Sequence, residues 1–172
     1  MLTEANGPLV LIAATPESLA AEAVGGDRLA DWLGVAAPAS WPPEHNDADT
    51  RAWMLRLLAD HPDEPGYGFW YIVADGRLVG IAGFKGPPDA TGVVEIGYSV
   101  IESEQRRGHG VAAAAILVAR AFRDRRVWTI IAETLPALTA SQTVLTRNGF
   151  KLAGSRPDDD LGEVLRFVLT RP

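Results

Sequence analysis

The chain has 172 residues, no cysteine and a net charge of −6, from 16 basic and 22 acidic residues. That length suits one domain with a sizeable core, and 47% hydrophobic against 22% charged residues is the balance of a folded, soluble chain. Without cysteine there is no disulfide, no thiolate metal site and no cysteine nucleophile, and the acidic balance disfavours a broad nucleic-acid-binding surface.

The N-terminus, "MLTEANGPLVLIAATPES", lacks the cationic start and long apolar core of a signal peptide and reads as a first strand. The cytoplasm is therefore the default location. No run reaches the ~18 apolar residues of a membrane helix, since Gly110 and Arg120 bound "VAAAAILVA". Thr15, Pro16 and Glu17 supply a cap, a first-position proline and an early acid for a helix that Gly25-Gly26 ends. Asp27 is expected to cap a second helix stopping near Gly34. Trp53, Met54, Leu57 and Leu58 have helical spacing for a third, with Pro62 beyond its end.

"FWYIVADGRLVGIAGF" is two β-prone runs around Asp75-Gly76, a pair suited to a type I′ hairpin. With "VVEIGYSVI" after the turn-rich "KGPPDATG", the three strands form an antiparallel meander. The pattern then switches to helix ("VAAAAILVARAFRDR"), strand ("VWTIIAE"), helix ("LTASQTVLTRNGF", Thr139 as cap, Asn148-Gly149 as stop) and a closing "GEVLRFVLTR". There is neither repeat nor linker.

The alanine-rich helix opens on "EQRRGHG". A helix N-terminus offers unpaired N–H groups and a positive dipole end, and glycine lets an anion come close. Gly108 and Gly110 provide that approach, Arg106 and Arg107 add charge, and Glu102 and Glu104 must point away. A pyrophosphate fits such a mouth. A Walker A loop is excluded by the missing Gly-Lys-Ser/Thr ending. Gly108, Gly110 and Ala113, with Glu133 roughly 20 residues on, also fit a dinucleotide-binding loop. Against it, "ESEQRR" separates the glycines from their strand, and the chain beyond Glu133 is too short for the rest of a doubly wound sheet.

Gln105 to Gly110, "QRRGHG", resembles the acetyl-CoA loop Gln/Arg-x-x-Gly-x-Gly/Ala of the GNAT superfamily of N-acetyltransferases. The resemblance runs from about Val93 to Arg171, and "AETLPALTASQTVLTRNGF" is similar to the ribosomal-protein N-terminal acetyltransferase branch. It implies an α/β (α+β) fold with a mixed, mostly antiparallel sheet, a splayed central strand pair and helices on both faces. Residues 1–172 would form one domain, 1–92 on the acceptor side and 93–172 binding acetyl-CoA. The resemblance further implies that N–H groups of Arg106, Arg107, Gly108, His109, Gly110 and Val111, beside Gln105, hold the pyrophosphate. Tyr98, Ser99 and Val100 would lie along pantetheine, and the Val100 N–H would receive the oxyanion. Leu138 departs from the family, standing where many members have a cofactor-contacting asparagine.

Acyl transfer from a thioester to an amine needs a neutral amine, a stabilised oxyanion and a proton for the thiolate. Glu95 is the first candidate base: alternation puts Val94, Ile96, Tyr98 and Val100 on one face and Glu95, Gly97 and Ser99 on the other. A solvated strand glutamate is the bland alternative. Glu133 is second. Ser141, by resemblance, bonds the CoA sulfur or relays a proton, or else caps its helix. The acid tyrosine of one branch is replaced by Leu145. His109 reads as exposed, His45 and His61 fall in proline-rich turns, and no spacing suggests a metal. "SWPPEH" and "DEPGYGFW" are the loops for acceptor contact. The acceptor is an amine, on a protein N-terminus or a small molecule, with no nucleic acid or membrane; a homodimer is left open. A GNAT-like module that binds acyl-CoA without turnover is the rival class.

Overall fold

The computed structural model describes residues 1–172. Eight strands form one sheet in the order β1-β2-β3-β4-β5-β6-β8-β7. They are β1 (Thr3–Asn6), β2 (Leu9–Ala13), β3 (Phe69–Ala74), β4 (Arg77–Phe84), β5 (Val93–Val100), β6 (Thr129–Thr134), β7 (Lys151–Asp158) and β8 (Gly162–Thr170). Every neighbouring pair is antiparallel except β5 and β6. This mixed, mostly antiparallel topology removes the dinucleotide-binding alternative, which needs a parallel sheet.

The helices are α1 (Pro16–Val24), α2 (Gly26–Leu33), α3 (Ala48–Asp60), α4 (His109–Arg123) and α5 (Thr139–Arg147). Thr15 and Ser18 close a reciprocal capping box on α1. Asp75 and Gly76 both have positive φ, 48° and 72°, as the expected β3–β4 turn requires.

Three local expectations are corrected. The N-terminal segment is two strands, because Gly7, at φ 61°, turns β1 back onto β2. Asp27 does not cap α2: Gly25, at φ 152°, reverses the chain at once, so Asp27 falls inside the first turn. Thr139 is the first residue of α5, whose N-cap Leu138 has no side-chain acceptor. There the Gln142 amide instead donates to the carbonyls of Leu135 and Pro136.

Two cores lie on the two faces of the sheet. α4 and α5 cover one, burying Ala113, Leu117 and Leu145 against Val94, Ile96, Ile130 and Ala132. The other, under α1, α2 and α3, gathers Leu19, Leu29, Leu33 and Met54 against Tyr71, Leu78 and Ile81. Each such large side chain contributes about 1.5–3 kcal/mol by burial. Helices on both faces leave the β5–β6 junction as the place where the sheet can open.

Candidate active site

β5 and β6 pair from Val93↔Thr129 to Ile96↔Ala132 and no further. Beyond that point β5 keeps its bonds to β4 up to Val100, and β6 keeps its bonds to β8 up to Thr134. The strands therefore part, as the splayed pair requires. Lys85 N–H donates to the Glu95 carbonyl and Ile101 N–H to the Val79 carbonyl. Odd-numbered residues of β5 thus turn their backbone toward β4, and Tyr98 and Val100 turn theirs into the gap.

At the end of β5 the chain makes a short 3₁₀ turn, Glu102–Glu104, and enters α4. Gln105 donates to the Val100 carbonyl at 3.0 Å, pinning the loop over the strand end. Arg106 (φ 61°) and Gly108 (φ 87°) are left-handed, and no side chain caps α4. None of the amides from Arg106 to Val111 donates to a backbone acceptor outside regular elements or to a side chain. A Cβ on Gly108 would meet nothing within 4 Å. An uncapped helix mouth with open space before it has the donors and the clearance for a diphosphate.

Gly110 differs from its expected role. Its Cβ would lie 3.3 Å from Val144 Cγ2, so its missing side chain serves α4–α5 packing, and only Gly108 faces open space. His109 is not exposed: its side chain is 17% accessible and its Nε2 lies 3.5 Å from Glu104. Glu104 also pairs with Arg107 at 3.1 Å, which turns it into a brace for the loop, while Arg106 has no acidic partner.

Tyr98 lies on the α4–α5 face and reaches across to the start of α5. Its hydroxyl donates to the Ser141 carbonyl at 3.0 Å and lies 3.1 Å from Ser141 Oγ. Burial pushes the Tyr98 phenol up to about 12, so it stays protonated at neutral pH. Ser141 Oγ bonds no first-turn amide, which leaves the Tyr98 contact rather than a cap as its engagement. Sequence reading missed this pair, because strand alternation says nothing about which helix terminus a side chain meets.

Glu95, Gly97 and Ser99 occupy the opposite face of β5. The Glu95 carboxylate pairs with Lys85 and is 22% accessible. Lys85 follows β4 directly in the register opposite Glu95, a signal available once the β4–β5 pairing is drawn. Glu133 shares that face across the gap but is committed elsewhere: Arg156 donates to it at 2.7 and 3.1 Å and Arg166 at 2.9 and 3.1 Å. Arg156 above all holds its carboxyl down to about 2, against an opposing effect of burial, which makes it a weak base. Leu138 is half-exposed beside Ser141, and Leu145 is buried in the core, away from any acid role. No three His, Cys, Asp or Glu side chains gather as metal ligands, and no helix is long and apolar enough to cross a membrane.

An opened mixed sheet with a bare helix mouth at its parting defines an acyl-CoA-type transferase fold. Residues 9–151 match the family described as the acetyltransferase (GNAT) domain, and the chain belongs to it: it is an acyltransferase. Among its relatives is an uncharacterized N-acetyltransferase, YjdG, of Bacillus subtilis (strain 168), 30% identical over 122 residues, or 70% of this chain and 72% of YjdG. RimL, a ribosomal L7/L12 alpha-N-protein acetyltransferase solved with coenzyme A, superimposes with a TM-score of 0.74 at 20% identity over 98% of each chain. The microcin C7 self-immunity acetyltransferase MccE, solved with acetyl-CoA and AMP, gives 0.71 at 16% identity over 96% of this chain and 94% of its own. At such identities the two structures speak for the fold.

Proposed function

We propose that this acetyltransferase moves acetyl from acetyl-CoA to a primary amine, on a protein N-terminus or a small molecule, by direct attack in a ternary complex. The observation that carries the reading is the continuity of the uncapped α4 mouth with the gap between β5 and β6. The co-substrate brings an activated thioester; everything else is supplied by the chain.

The amides of Arg106 to Val111 bind the diphosphate, with Arg106 the unpaired cation beside them. Gln105 and Val100 fix the loop to the strand, and Tyr98 and Ser99 border the passage. The Val100 N–H, turned into the gap, stabilises charge developing on the carbonyl oxygen; losing one such donor costs roughly 3–4 kcal/mol in other enzymes. Glu95 accepts the proton of the attacking amine and exchanges Lys85 for it as partner. Ser141 Oγ, 3.1 Å from the Tyr98 hydroxyl, turns its proton from that oxygen to hydrogen-bond the departing thiolate. Glu133, clamped by two arginines, shapes the wall. The RimL and YjdG names support acetylation of an amine, and the structures of RimL with coenzyme A and MccE with acetyl-CoA support the donor.

The test follows CoA thiol release with short peptides and simple amines. Glu95→Gln keeps the CoA-induced thermal shift, about 2.7 kcal/mol at 100 times the dissociation constant. Its turnover falls ten- to a hundredfold, most steeply below the amine pKa. An unchanged pH–rate profile in that variant removes Glu95 from the chemistry.

A further inference from the structure

Three glycines lie on β4 and β5 next to the gap, and the fold needs only two of them. A Cβ on Gly80 would come within 2.3 Å of the Ser99 carbonyl oxygen, and one on Gly83 within 2.6 Å of the Gly68 carbonyl oxygen. Backbone contact forbids a side chain at both. Gly97 has no such constraint: its φ is not positive, and an added Cβ would meet no atom within 4 Å. Glycine inside a strand gives up conformational entropy and packs nothing. Alanine or valine would serve β5 better.

What Gly97 leaves is space, and its position gives the space a use. It is the first β5 residue beyond the last β6 pair, Ile96↔Ala132. It shares its face with Glu95 and Ser99, beside the Glu95 carboxylate, and stands opposite Gly83 in the β4 register. Same-face neighbours on a strand are roughly 7 Å apart. For an amine that reaches the Glu95 carboxylate from the gap, the open surface of Gly97 is the neighbouring floor on that face.

We infer that Gly97 sets the acceptor class, its bare floor admitting an amine on a branched carbon, as in a peptide α-amino group. This rests on the amine-acetylation reading above and narrows it. The α-carbon of a peptide bears a side chain and a carbonyl, and both need clearance. The nitrogen-bearing carbon of a straight-chain amine bears one carbon and two hydrogens, and passes over a filled floor.

The experiment compares the native chain with Gly97→Ala and Gly97→Val, using an alanine-initiated tripeptide and n-butylamine as acceptors. Melting temperatures equal to or above native and an unchanged CoA shift are expected. In Gly97→Val the kcat/KM for the peptide falls at least tenfold relative to that for butylamine, chiefly through KM, with Gly97→Ala between. Equal effects on both amines, or loss of the CoA shift, would make Gly97 a structural residue and overturn the inference alone. A native chain that binds CoA but acetylates neither amine overturns the underlying reading and the inference with it.

Discussion

Glu22 is a charged residue that the fold buries. Glutamate is rarely buried, yet Glu22, on the same face of α1 as Leu19, is only 5% exposed. Its Oε1 accepts from Trp41 Nε1 at 3.0 Å and Asn46 Nδ2 at 2.7 Å, and its Oε2 accepts from the Tyr71 hydroxyl at 3.2 Å. One carboxylate thus ties α1 to β3 and to the loop carrying "SWPPEH". Burial raises its pKa against those bonds. Removing it strands two buried donors, Asn46 Nδ2 and the Tyr71 hydroxyl, each costing about 1–3 kcal/mol, and the half-buried Trp41 Nε1. Glu22→Ala is therefore expected to lose about 3 kcal/mol in urea unfolding and to loosen the α2–α3 loop to proteolysis. A loss below about 1 kcal/mol would show that water replaces the carboxylate.

At the scale of an element, the start of α4 separates two glycines that look equivalent in "QRRGHG". Gly108 faces open space in a left-handed conformation, whereas Gly110 faces Val144 at 3.3 Å. Filling each has a different consequence. Asparagine tolerates the left-handed region, so Gly108→Asn keeps most of the native stability while crowding the phosphate approach. Gly110→Leu drives the first turn of α4 away from α5, and overpacking of that kind costs about 1–3 kcal/mol. Thermal melts with and without CoA check the split: the first variant loses the CoA shift, and the second loses the melting temperature. Equal melting temperatures in the two variants would remove the packing role of Gly110.

Across the whole molecule, arginine–carboxylate pairs tie distant segments. Glu4 in β1 meets Arg120 and Arg123 of α4, the Tyr67 hydroxyl donates to Asp124 at 2.8 Å, and Arg126 joins Glu64 to Asp124. The arginines hold Glu4, Glu64, Asp124 and Glu133 below the usual carboxylate range. A depressed folded-state pKa contributes stability above the unfolded value that is lost as pH falls through the folded one. For Glu133 the window runs from 4.5 down to about 2. Glu22 works the other way, its raised pKa costing stability as pH rises above the unfolded value. The native melting temperature is therefore expected to fall below pH 4.5. Glu133→Gln should melt lower than native at pH 7 and close that difference near pH 2. A difference independent of pH would mean that Glu133 acts through packing alone.

Most of the scaffold was legible because its signals are local. The Asp75-Gly76 turn, the Thr15 cap, the alternation in "VVEIGYSV" and the motif "QRRGHG" each depend on residues within a few positions of one another. The same alternation separated the Glu95 face of β5 from the Tyr98 face before any partner was known. Partners are another matter, since they come from segments far apart in the chain and only the assembled sheet brings them to one place. Tyr98 meets Ser141, 43 residues on, and Glu133 meets Arg156 and Arg166, 23 and 33 residues on. Gly110 meets Val144, 34 residues on, for the same reason. Sequence by itself determined most of the elements, their order and the uncapped glycine-bearing start of α4. Tertiary structure decided which acid is clamped by arginines, which glycine faces open space and where the sheet opens, because those depend on register and packing between strands and helices distant in the chain.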